Sequence, residues 1–327
     1  MTSRERLRET FAYGAPDRVP YFDEGLRDGV LESWRAQGLS PDADLAAMFH
    51  YDRREKVPVD LEPRPGIRKW PTSPRALARL RRRFDADRPG RLGADWEKRV
   101  AEWRTRDYVL ELSLHPGFFL AMGVNDWERF EEVIYLLGDA PGVVRETLDM
   151  RAELIARMAE RVLSEVEIDF ASFSEPIGGN DRPLVSPRTY RELILPSYRP
   201  ILDVLRRRGV KTIVLVTYAN ARVLLPLAIE AGFNCLWSCE ANVNAMDYRN
   251  LRREFGRDLR LIAGIDLDCL LSGPEAIRRE IETKVPPLLR QGGYVPIADG
   301  RVRENVTFEN YRFYRRMLEK VTSGPAA

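Results

Sequence analysis

Eight short apolar runs, each closing on a polar residue and most of them separated by a helical pattern, constrain this chain more than any other feature. They lie at residues 18–23, 57–61, 108–114, 168–174, 211–217, 233–238, 259–265 and 293–298. Between them, residues 140–166, 189–208, 221–231 and 274–290 carry apolar side chains at helical spacing. Strands that alternate with helices pair in parallel through right-handed crossovers. Eight of them favour an α/β fold closed into a (β/α)8 TIM barrel over an open sheet. The 327 residues suit one such domain, since these barrels run from roughly 200 to 400 residues.

The expected domain spans residues 1–321. It opens with a helical cap at residues 3–13, closed by Gly14 and Pro16. An excursion at about residues 64–106, rich in Arg, Pro, Asp and Trp, reads as a solvated detour or a helical cover over the barrel mouth. Residues 322–327 are expected to form a disordered tail.

Composition excludes several classes. With 52 basic and 50 acidic residues the net charge is +2, so no long-range field recruits nucleic acid or an anionic membrane. The basic run at residues 79–83 is diluted by Asp85, Asp87, Asp95 and Glu97. Cys235, Cys239 and Cys269 make an odd count without a CxxC pair, which argues against a secreted disulfide framework. The N-terminus is charged from residue 4, and no apolar run approaches the roughly 18 to 20 residues of a membrane span. A cytoplasmic protein acting on a small molecule is the expectation.

Chemistry in such barrels is done by residues just after the strands. Those positions hold Asp23 and Glu24, His115, Glu175, Tyr218 and Asn220, Glu240, Asp266, and Asp299 with Arg301. Carboxylates crowded into one cavity repel, so some must be protonated, paired with arginine, or bound to a cation. Crowding of this kind yields a general acid near neutral pH. Asp181, Asp266 and Asp268 read as helix caps. Glu175 and Asp299, from the fourth and eighth strands, are expected to face each other across the mouth and move protons, with Tyr218 donating a hydrogen bond. The competing reading makes Glu175 a cap on the glycine loop at residues 177–180.

The wording of the chain is specific. Residues 292–311, GGYVPIADGRVRENVTFENY, resemble the closing segment of the uroporphyrinogen decarboxylase superfamily, which holds porphyrinogen decarboxylases and corrinoid-linked methyltransferases. RPLVSP at residues 182–187 stands where that superfamily has a GPLISP-like phrase, and the likeness runs from APDRVP at residues 15–20 to TFENY at residues 307–311. The methyltransferase branch binds zinc through a His-x-Cys pair after the fifth strand, where this chain has Val216 and Tyr218. Ile297 and Ala298 stand where its third ligand, a cysteine, would be. The resemblance therefore implies no zinc and no metal ligand set of the methyltransferase kind, while a hard cation such as Mg²⁺ among the carboxylates stays open. The decarboxylase branch has two arginines after the first strand; Gly25 and Gly29 occupy those positions, with Arg27 between them. Asp23 and Glu24 would repel a porphyrinogen's carboxylates. Cys235 and Cys239, four apart on one strand and roughly 13 Å from each other, read as buried free thiols.

Three readings follow. The first is zinc-independent methyl (one-carbon) transfer with a corrinoid or a pterin such as folate as co-substrate and no tightly bound cofactor. In it Glu175, Asp299 and Tyr218 are catalytic, and Asp23, Glu24, Arg27, His115, Asn220, Glu240, Asp266 and Arg301 bind substrate. A corrinoid protein and a second copy of the chain are the partners it allows. The second is a lyase resembling uroporphyrinogen decarboxylase that acts on a smaller carboxylated substrate held by Arg27, Arg182 or Arg301. The third is a binding barrel that has lost turnover.

Overall fold

The computed structural model describes residues 1–323, so residues 324–327 of the expected tail lie outside the described residues. Thr322 ends the helix Phe308–Thr322 instead of opening a tail. Seven strands form one sheet in sequential order: β1 (Arg54–Lys56), β2 (Val109–His115), β3 (Phe170–Glu175), β4 (Ile213–Tyr218), β5 (Cys235–Cys239), β6 (Arg260–Ala263) and β7 (Tyr294–Val295). Every neighbouring pair is parallel. The long connections carry helices, including Pro141–Glu165, Leu195–Arg207 and Pro274–Leu289.

Strands β2 to β7 overlap six of the expected runs. The other two differ, for reasons that proline supplies. Residues 18–23 form no strand. Pro20 has no N–H to give a ladder, and the Tyr21 N–H donates to the Asp52 carboxylate at 2.8 Å instead of to a backbone carbonyl. One main-chain bond, from Asp52 N–H to the Tyr21 carbonyl at 2.9 Å, ties this segment to the residues before β1. The second strand lies at Arg54–Lys56 rather than at 57–61. Val57 still donates to the Glu111 carbonyl at 2.9 Å, and Pro58 follows it.

The sheet curls. The Arg54 guanidinium of β1 lies 4.8 Å from the ring of Trp237 on β5, a contact between strands that are not neighbours. Val109, Phe170, Val214, Cys235, Trp237, Ile262 and Val295 pack into one inner cluster with Phe22. Leu7 and Phe11, from the helix Ser3–Phe11, join this cluster at the end where the strands begin. That helix is pinned by Arg4 and Arg8, whose Nε atoms donate to Asp169 at 3.0 and 2.9 Å. An outer layer, with Phe173, Tyr198 and Phe233 among its members, packs the sheet against its helices.

Residues 64–106 pack on the flank of the fold, not over its mouth. Arg157 of the helix Pro141–Glu165 pairs with Asp87 at 2.7 Å, and the Trp96 indole donates to Glu165 at 3.3 Å. Leu77, Phe84, Trp96, Val100 and Trp103 are buried, so the segment has an apolar underside rather than being a solvated detour. Among the described residues no helix is long and apolar enough to cross a membrane.

Candidate functional site

Side chains alternate along a strand, so register decides which residues see the interior. Arg54 and Lys56 of β1 face inward, as do Glu111 of β2, Ser172 of β3 and Trp237 of β5. Glu55, on the opposite parity, accepts from the Trp103 indole outside the sheet at 2.9 Å. Inside, Glu111 Oε1 accepts from the Ser172 hydroxyl at 2.6 Å. Lys56 Nζ stands 3.8 Å from the same oxygen, and Arg54 Nη1 stands 3.9 Å from Glu111 Oε2.

Glu24 enters this chamber from the segment that follows Phe22. The Cys239 thiol donates to its Oε1 at 3.2 Å. Burial raises the Glu24 pKa above the usual carboxylate value, against the pull of that thiol and of Arg54. Burial likewise raises the Cys239 thiol, helped by Glu24 itself. Tyr218 ends β4 at the rim, 37% exposed. Its phenol is pushed up to about 12 by burial and by Cys239, Glu24 and Glu240 nearby, with Arg301 opposing. Arg27 reaches over the rim and donates to Glu240. Glu24, Arg27, Tyr218, Glu240 and Arg301 thus lie near one another at this rim.

Other expected site residues are placed elsewhere. Glu175 is 1% exposed and lies in the layer between sheet and helices, three residues on from inward-facing Ser172. Its Oε1 accepts from the Phe118 N–H at 2.8 Å, and its Oε2 accepts from the Tyr198 hydroxyl. Burial pushes it up to about 7, against those two hydrogen bonds. It caps the short helix Phe118–Ala121, not the glycine loop. Gly117 is required there, because a Cβ on it would meet the Ser174 carbonyl at 2.4 Å. His115 is packed in the same layer, its ring centroid 4.6 Å from that of Tyr198. Its Nδ1 accepts from the Gly117 N–H at 3.0 Å, and burial with Arg151 nearby pushes it down to about 3. A neutral buried imidazole there does not reach the mouth.

Asp299, 3% exposed, joins three strand ends. Its Oδ1 accepts from the Leu267 N–H at 2.9 Å and its Oδ2 from the Ala241 N–H at 2.8 Å. Burial pushes it up to about 6, and the two amides work against that. Asp23 faces away from the chamber, taking hydroxyl hydrogens from Tyr51 at 3.2 Å and from Tyr311. Asn220 staples the loop after β3 by donating to the Asp181 carbonyl at 2.8 Å. Asp266 caps the turn Leu267–Leu270 through the Asp268 N–H at 2.9 Å, as the capping reading holds. Asp268 and Asp181 are not caps: Asp268 pairs with Arg303 at 2.7 Å, and Asp181 accepts from the Asn180 amide at 3.0 Å.

The residues missed by sequence reasoning are Arg54, Glu111, Ser172 and Trp237. One signal for them was present in residues 109–115, VLELSLH, where Glu111 and Ser113 alternate with leucines. Cys235, Cys239 and Cys269 are free and buried. Among the described residues no group of three or more His, Cys, Asp and Glu side chains is arranged to hold a metal ion.

No protein-family model matches the sequence, and no curated protein matches it. Among solved structures, the chain is similar to a phosphonopyruvate hydrolase in complex with oxalate and Mg++ at 10% identity, over 91% of this chain and 81% of that one, with a TM-score of 0.31.

Proposed function

We propose that this chain is an enzyme of the kind the uroporphyrinogen decarboxylase resemblance implies, decarboxylating a small carboxylated substrate inside the barrel. In this reading residues 18–24 serve as the eighth stave of a closed (β/α)8 barrel, filling the place between β7 and β1. The observation that carries the reaction is the placing of Arg54, whose buried Nη1 has no hydrogen-bond partner among the described residues, beside Glu24 at the same opening. Arg54 and Lys56 hold a substrate carboxylate by charge-assisted hydrogen bonds. Glu24, kept protonated to higher pH by burial, is the proton donor. The bond to the departing carboxylate breaks, CO2 leaves, and the electron pair stays on carbon. The Glu24 proton collects that pair, and water reprotonates Glu24. This role moves from Glu175, whose two oxygens are both occupied away from the chamber.

The test is release of CO2 from a panel of small mono- and dicarboxylic acids. General-acid participation predicts that Glu24→Gln slows turnover by about 10²-fold or more. Release that Glu24→Gln leaves unchanged would remove the assignment.

One observation favours a second reading, zinc-independent methyl transfer from a corrinoid- or pterin-type donor. The Tyr218 ring is a half-open flat surface at the rim, suited to stacking a large planar co-substrate. Methylcobalamin or methyltetrahydrofolate would then raise the melting temperature by mass action, and small acids alone would not. A corrinoid protein would be the partner under this reading only.

A further inference from the structure

Three buried side-chain atoms in one chamber lack a hydrogen-bond partner among the described residues: Arg54 Nη1, Glu111 Oε2 and Trp237 Nε1. Buried polar atoms are almost always paired, so three together call for an explanation. Two are donors and one is an acceptor. The Arg54 and Glu111 atoms stand 3.9 Å apart, too far for a hydrogen bond to each other. A single water would have to sit about 2.8 Å from both at a cramped angle near 90°. Two adjacent ligand atoms, about 2.7 Å apart, would instead close a relaxed four-membered ring of contacts with the pair. One of those atoms must accept from arginine and the other must donate to a carboxylate.

We infer that the chamber binds a 2-hydroxy or 2-amino acid, with Arg54 and the Trp237 indole on its carboxylate and Glu111 on the neighbouring hydroxyl or amino group. The charge balance agrees. Arg54 and Lys56 both stand beside the single carboxylate of Glu111, so two cations face one anion there and a ligand carboxylate is matched by charge. Ser172 fixes the other Glu111 oxygen at 2.6 Å, so Oε2 is held ready for the ligand. The Arg54 guanidinium itself lies against aromatic rings, 4.8 Å from the centroid of Trp237 and 5.3 Å from that of Phe22, which limits its swing. This inference names the substrate class of the decarboxylation proposed above and rests on that reading for its chemistry, but not for the binding itself.

The experiment is calorimetric titration of the full chain with malate, aspartate and succinate, which differ at the 2-position only. Malate or aspartate should bind at least ten-fold more tightly than succinate. Glu111→Gln should shrink that advantage to within about two-fold, and Arg54→Met should abolish binding of all three acids. Circular dichroism reports whether each variant folds; should Arg54→Met not fold, Arg54→Lys keeps the charge, shortens the reach and should weaken binding at least ten-fold. Equal affinity for the three acids, absence of binding by all of them, or binding indifferent to Arg54 would overturn the inference and leave a structural water between Arg54 and Glu111. Discrimination without CO2 release defeats the decarboxylase reading alone. Release of CO2 without discrimination defeats this inference alone.

Discussion

Tyr198 donates its hydroxyl to Oε2 of Glu175 on the outer side of β3, and the Phe118 N–H meets the other oxygen at 2.8 Å. The most deeply buried glutamate among the expected site residues is therefore bonded to the helix layer. Its neighbour two strands round the sheet, β1, carries Arg54 on the inner side. The candidate chemistry follows Arg54 and Glu24, not Glu175.

Glu175 should make stability depend on pH. Its value rises from the ordinary 4.5 to about 7 in the fold. The native state then holds a proton that the unfolded chain has lost, so the contribution of Glu175 to stability is fully present below about pH 4.5 and is lost as pH climbs through 7. The shift corresponds to a loss on the order of 3 kcal/mol. Glu175→Gln, which imitates the neutral acid, should flatten that decline in a thermal melt series from pH 4.5 to 7.5. An unchanged slope would mean that Glu175 does not titrate there.

Asp299 should matter for folding before it matters for chemistry. Asp299→Ala would leave the buried amide of Leu267 and the part-buried amide of Ala241 without their acceptor, costing about 1–3 kcal/mol for the first and less for the second. Denaturant unfolding should show a loss of several kcal/mol, while the turnover of molecules that do fold stays within about ten-fold of the parent.

Asp23 acts through its neighbour. Tyr311 and Tyr51 hold the Asp23 carboxylate, and Glu24 is the next residue. Tyr311→Phe removes one of those hydroxyls, costing about 1 kcal/mol. It should also loosen Glu24, lowering turnover several-fold, with the alkaline limb of the pH–rate profile, where the proton donor is lost, displaced. A profile that keeps its shape would limit Tyr311 to stability.

The strand–helix order was legible because six apolar runs are long enough to carry their own signal. What faced inward was not. Strands covered on both sides lose their alternation: in β3, Phe170 and Phe173 lie on opposite faces, and both are buried. With apolar residues at both parities, nothing in FASFSE tells whether Ser172 or Glu175 sees the chamber. Strand β1 was hidden for the opposite reason. Its REK triplet has no apolar residue, since Arg54 and Lys56 are the inward pair. The knot at Asp299 needs amides from two other strand ends, which no local pattern reveals.

The most direct test compares two glutamates once CO2 release has identified a substrate. Turnover of Glu24→Gln and Glu175→Gln is measured side by side, with folding of each verified. The account predicts a loss of about 10²-fold or more for Glu24→Gln and turnover within a few-fold of the parent for Glu175→Gln. The reverse ranking would contradict it, returning the proton transfer to Glu175 and reducing the Arg54 chamber to packing.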